Sequence, residues 1–134
     1  MCLWFPGGRE EEVKSLAKTF YSVFPNAKAY VGPHNWGFYF IGAVQEISAS
    51  DVRQNLEKAF ANPEILKDLS EYDDSCVTPK QLSDMFLWDT KELASITSKD
   101  GVLITDDRPY TEFFLWRNML NKENFYQPDP LLRK

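Results

Sequence analysis

The order of apolar patterns in the first third of the chain restricts the fold more than any other feature. "CLWF" at residues 2–5 is a short apolar run stopped by Pro6, Gly7 and Gly8, and it reads as a strand. Residues 9–24 then place Val13, Leu16, Ala17, Phe20 and Phe24 on one helical face. Glu10, Glu11 and Glu12 sit in the first turn, where carboxylates meet the positive end of the helix dipole, and Pro25 ends the helix. "AKAYV" and "WGFYFIGA" follow as two strands joined by the turn "GPHN", which makes them a hairpin. Strand, helix, strand prefers a parallel pair with a right-handed crossover, and the hairpin strand then runs antiparallel to both. The expected fold is α/β, with a small mixed sheet of about three strands.

The rest of the chain reads as helical. Ser48 and Asp51 form a capping pair, with Val52, Leu56, Ala59 and Phe60 as the apolar stripe behind them. Asn62-Pro63 restarts a short helix, and Thr78-Pro79-Lys80-Gln81 reads as a capping box with proline in the first turn. Leu82, Met85 and Phe86 continue at helical spacing, and Thr90 caps a last helix through Ile96. Residues 1–117 are expected to form one module. Residues 118–134 read as a loosely held tail.

Composition removes several function classes. The 134 residues are 43% apolar and 15% aromatic, enough to build a core. The net charge is −5 and lysines and arginines do not cluster, against a nucleic-acid partner. No apolar run reaches the roughly 20 residues that cross a bilayer, and the first residues lack the pattern of a signal peptide. A cytoplasmic location without membrane contact is the expectation. Cys2 and Cys76 fit no metal or redox spacing, and His34 is the single histidine, so no metal site is expected.

The acid pairs are the first candidates for chemistry. Asp73-Asp74 reads as a solvated turn. Asp106-Asp107-Arg108-Pro109, with Glu112 beyond, reads either as a local lock or as a functional acid cluster: aspartate accepts backbone N–H bonds in turns, arginine pairs with a carboxylate, and proline fixes the bend. His34 stands at the hairpin tip. Trp36, Phe38 and Phe40 alternate with Gly37, Tyr39 and Ile41, so both faces of that strand are bulky and it reads as a central strand buried on both sides. Trp4 and Trp88 read as core or edge anchors. Gly7-Gly8 lacks the spacing of a dinucleotide loop, and no serine or cysteine has a histidine partner at a recognisable spacing. The residues by themselves define no complete active site.

Several segments in order resemble one family. "CLWFPGG" before a helix, "TFYSVFPNAKAYVGPHNWGFYFIGA", and "ITDDRPYTEFFLWR" are similar to the C-terminal part of spermidine synthase-like (polyamine aminopropyltransferase) proteins, over residues 2–117. The resemblance implies part of a Rossmann-like, methyltransferase-type sheet with its three strands in the order first, third, second. In the family, decarboxylated S-adenosylmethionine binds strands that precede this region, so no cofactor is expected for this chain alone and it is expected to be inactive alone. The crevice of such sheets lies at the carboxyl ends of the parallel strands, here near Pro6–Gly8 and the 30–36 loop. Tyr30, Pro33, His34 and Trp36 are the implied substrate-side residues, although the family's Tyr-Pro is replaced by Gly32-Pro33-His34.

Partner expectations follow from the same comparison. A separate chain would supply the cofactor half. The apolar first strand would drive a homodimer or higher oligomer through Leu3, Trp4 and Phe5. The rival readings are an interaction module that binds by strand addition, and a small-molecule binding domain that uses the crevice of the hairpin loop.

Overall fold

The computed structural model describes residues 1–5, 10–72, 74–98 and 101–107. Strand β1 (Cys2–Phe5) leads to helix α1 (Glu10–Val23), strand β2 (Asn26–Val31) and strand β3 (Phe38–Ala43). Helices α2 (Ala49–Phe60), α3 (Pro63–Tyr72) and α4 (Pro79–Asp84) precede strand β4 (Phe86–Asp89) and helix α5 (Thr90–Ile96). Among the described residues this is a mixed α/β fold with four strands and five helices.

The sheet runs β1-β3-β2-β4 and all neighbours pair antiparallel. The order of the first three strands is the one expected, and β2 and β3 are the expected hairpin. The expected three-stranded mixed sheet is corrected in two respects. A fourth strand adds to β2, and the strands that share a direction are never neighbours. β1 and β2 point the same way with β3 between them, and β3 and β4 do the same with β2 between them. Each of those pairs is joined by a crossover, through α1 for the first and through α2–α4 for the second. The two pairs point in opposite directions, so crossovers of one hand fall on opposite faces of the sheet. That is the observed layout: α1 packs one face, and α2–α4 stand over the other.

The first face holds the core. Strand alternation sends Ala27 and Ala29 of β2, and Phe38 and Phe40 of β3, to the same side. There they meet Val13, Ala17 and Phe20 of α1, Trp88 of β4 and Leu93 of α5. Phe38 and Phe40 are both 0% exposed. Each such ring contributes roughly 2–3 kcal/mol by leaving water. Phe20 lies 5.6 Å from Phe40, and Phe38 stacks on Trp88 at 6.3 Å. The two small alanines of β2 give these rings room. Gly42 continues the same row, because a Cβ there would stand 2.6 Å from the Phe20 ring and from the Phe24 Cβ.

A polar rail crosses the outer side of α1. Ser15 donates to the Glu11 carbonyl at 2.7 Å and Thr19 to the Ser15 carbonyl at 2.8 Å. Their oxygens then accept the backbone N–H of Val102 at 2.9 Å and of Ile104 at 2.8 Å. Residues four apart on the helix thus hold residues two apart on an extended segment. Gly101 starts that segment with φ of 98°, and its carbonyl accepts from the Lys18 ammonium at 3.0 Å. A side chain at Gly101 would press on the backbone of Lys14, about one turn into α1.

Other elements differ from the sequence pattern. Phe86 was expected to continue a helix from Leu82. The helix instead ends at Asp84, and residues 86–89 turn into β4. Leu87 is the extra residue of a bulge in the β2–β4 ladder, which lets Phe86 oppose Tyr30 while Trp88 opposes Ala29. Asp89, not Thr90, caps α5: its carboxylate accepts from the Glu92 N–H at 2.9 Å, and Glu92 returns the bond to the Asp89 N–H at 3.0 Å. Thr90 serves β2 instead, donating to the Ala27 carbonyl at 3.0 Å and accepting the Ala27 N–H at 2.7 Å. The caps expected at Ser48 and Thr78 are present. The Gln81 amide does not close a capping box but donates to the Asp74 carbonyl.

Candidate functional site

The second face of the sheet carries Lys28 and Tyr30 of β2, Tyr39 and Ile41 of β3, and Phe86 of β4. The same alternation that buries Phe38 and Phe40 leaves Tyr39 36% and Ile41 40% exposed. The expectation that β3 is buried on both faces is therefore corrected. It is buried on the core face only, because the helices over the other face do not seat directly on it.

Those helices form a cap. α2 packs on α3 and α4, and none of its residues is fully buried. Between cap and sheet lies an open cavity of about 850 Å³. Val52, Arg53 and Leu56 of α2, Leu69 of α3, and Leu82 of α4 face the five sheet residues across it. At one end the turn at Pro33–Asn35 touches the turn at Asp74–Cys76. Tyr30 meets Phe86 edge-on at 5.7 Å, and the Lys28 ammonium stands 5.9 Å from the centre of the same ring. Burial pushes the Tyr30 hydroxyl above its usual value of 10.0, so it remains protonated across the physiological range. Among the described residues, that hydroxyl makes no hydrogen bond.

The residues singled out from sequence divide around this cavity. Tyr30 and Pro33 line it. His34 and Trp36 do not: both are exposed on the hairpin loop, and Trp36 is 67% exposed. His34 and Asn35 adopt φ of 53° and 59°, which lets a six-residue connection close with the Gly32 N–H bonded to the Gly37 carbonyl. Trp36 packs on Trp4 at 5.3 Å, and Trp4 lies 6.5 Å from Tyr39, so an aromatic row runs from the loop to the cavity. Trp88 is a core anchor as expected, whereas Trp4 lies at the sheet edge and is 39% exposed.

Asp106 and Asp107 are exposed at the end of the segment tied to α1, and neither lines the cavity. Among the described residues, nothing donates a hydrogen bond to either carboxylate. Asp74 is exposed in its turn. Arg108, Pro109 and Glu112, like Asp73, the Pro6–Gly8 segment and the 118–134 tail, lie outside the described residues. Among the described residues no three metal-ligating side chains gather, and no helix is long and apolar enough to cross a membrane.

Sequence reading missed Lys28, Tyr39, Ile41, Arg53 and Phe86. The signal for Lys28 was present in "AKAY", where a charged and an aromatic residue alternate with two alanines. Against family models, curated proteins and solved structures, the chain finds no match.

Proposed function

We propose that this protein is a non-catalytic binding module whose site is the cavity between the sheet and the α2–α4 cap. The observation that carries the reading is the cavity itself. Its volume of about 850 Å³ lies within the roughly 300–1,000 Å³ of small-molecule sites. Its walls are largely aliphatic and aromatic, and a few polar groups, Lys28, Arg53 and Tyr30, stand among them. The site belongs to the hairpin-loop crevice only at Tyr30 and Pro33. The test is amide shift mapping with a neutral probe, 2-naphthalenemethanol. Saturable shifts are expected at Tyr39, Ile41 and Leu56, with Val13 and Ala17 unmoved. Ile41→Trp should fill the space and abolish them. Absence of saturable shifts, or shifts confined to other surfaces, overturns the reading.

The module is further proposed to be the C-terminal part of a spermidine synthase-like protein, with a Rossmann-like relationship of its sheet. The strand order β1-β3-β2, with β1 and β2 in one direction and α1 between them, supports this. The cofactor half would then come from another chain. Calorimetry with S-adenosylmethionine or its decarboxylated form should give no binding to this chain, and a micromolar Kd would falsify the assignment of the cofactor to a separate half. The same reading places a self-association surface at β1. Of the residues expected there, Trp4 is exposed on a strand that borders the sheet, with exposed Trp36 packed on it, whereas Leu3 packs against the core. Light scattering should show a homodimer or larger species that Trp4→Glu dissociates. A monomer at micromolar concentration removes that surface from the account.

A further inference from the structure

The protein carries a net charge of −5, yet the charged residues that line its cavity among the described residues are Lys28 and Arg53, both cationic. Neither makes a salt bridge among the described residues. We infer that the cavity selects an amphiphilic monoanion: an apolar body with one carboxylate head, of the medium-chain fatty acid type. This inference rests on the binding-module reading and names the ligand class for that site.

Lys28 is the residue that most directly sets the preference. It lies in β2 between the buried Ala27 and Ala29, on the cavity side of the sheet. Its ammonium is held at the wall, 5.9 Å from the centre of the Phe86 ring. The nearest acid by register is Asp89, the cross-strand partner of Lys28. That carboxylate is turned to the start of α5, where it accepts the Glu92 N–H at 2.9 Å. Among the described residues the ammonium is thus left without an anionic partner, in a surrounding that is largely apolar. Tyr30 follows two residues later on the same face, about 7 Å along the strand. Its hydroxyl stays protonated and is available to donate a second bond to a carboxylate.

The three ligand charges differ sharply in this setting. A cation such as a polyamine meets two like charges and no carboxylate on the described lining. A neutral molecule gains the apolar walls but leaves the ammonium unpaired. A carboxylate pairs with Lys28 while its tail covers Ile41, Leu56 and Phe86, and a charge-assisted bond is the strongest polar contact the site can make.

The test keeps the tail constant and changes the head. Decanoate, decanol and decylammonium are titrated calorimetrically below their micelle concentrations. Decanoate should bind about tenfold more tightly than decanol, as one charged hydrogen bond provides, and decylammonium should bind most weakly. Lys28→Met should reduce decanoate affinity by about tenfold and leave decanol unchanged. Arg53→Gln, on the exposed side of α2, should reduce it by only about two- to threefold. If Lys28→Met fails to fold by circular dichroism, the headgroup series on the native chain with Arg53→Gln decides alone. Equal binding of all three heads overturns the anion preference and leaves the binding module standing. Absence of binding by all three overturns both. Tightest binding by decylammonium reverses the assignment of charge.

Discussion

The two faces of the sheet are built from the same strands, yet they are organised on different terms. On the α1 and α5 face, Ala29, Phe38 and Phe40 are wholly buried. On the cap face, the alternate residues of β3, Tyr39 and Ile41, remain more than a third exposed beneath a cap with no fully buried side chain on α2. One face closes on a dense core and stabilises the fold. The other keeps its apolar surface available, and an apolar surface held open beside unpaired polar groups is what a ligand site requires.

Substitutions on neighbouring residues of β3 should separate the two faces most clearly. Phe40→Ala leaves a cavity in the core and is expected to cost about 3–5 kcal/mol in urea unfolding. Tyr39→Ala, one residue earlier on the open face, is expected to cost about 1 kcal/mol. Equal losses would break the distinction between a stabilising and a binding face.

The rail on α1 gives the next largest effect. Ser15 is 0% exposed and its hydroxyl joins the helix to the Val102 N–H. Ser15→Ala is expected to destabilise by about 1 kcal/mol, since the part-buried Val102 N–H loses its acceptor. A variant with an unchanged unfolding midpoint would show that water replaces the hydroxyl and that the 101–104 segment adds little to the core face.

Tyr30 gives a smaller effect that belongs to the cap face. Burial raises its folded pKa above 10.0, so ionisation favours the unfolded chain. Stability from this group is complete below about pH 10 and is lost as pH rises from there through the folded pKa. Melting temperatures of the native chain and of Tyr30→Phe, compared at pH 9 and pH 11, should show a smaller alkaline loss in the variant. Parallel losses would assign the alkaline effect to the lysines. Smallest of all, Asp106→Ala and Asp107→Ala remove exposed carboxylates and should each change stability by under about 0.5 kcal/mol. A larger loss would favour the local-lock reading of this turn.

The core face was the legible one. Val13, Ala17 and Phe20 announce themselves at helical spacing, and "GPHN" between two apolar runs fixes the hairpin. The cap face was obscured for two reasons. Aromatic residues on both sides of β3 imitate a strand buried on both sides, because periodicity reports hydrophobicity and not whether a cover seats tightly. β4 is four residues long, follows a helix with one intervening residue, and is bulged at Leu87, so its apolar positions extend a helical pattern across a change of structure. The Ser15–Thr19 rail was not legible either. Hydroxyls four apart in a helix are ordinary until the remote segment they hold is known. Of the site, Tyr30 and Pro33 were found through a resemblance, and Lys28 was passed over in a strand that otherwise showed its alternation plainly.

The absence of fully buried side chains on α2 has a consequence for the order in which the molecule opens. Segments with few buried contacts exchange their amide hydrogens through small local fluctuations, whereas core elements exchange only when the whole domain unfolds. Amides of α2 should therefore exchange with deuterium well before those of α1, and the cap should behave as a separate opening unit hinged at the ends of β3 and β4. Because the cavity is already open, such lifting would widen its mouth rather than unseal it. A ligand that binds only the closed arrangement draws the cap toward the slow exchange of the core, by an amount that grows with the logarithm of ligand concentration. Exchange in α2 thereby becomes a reporter of occupancy.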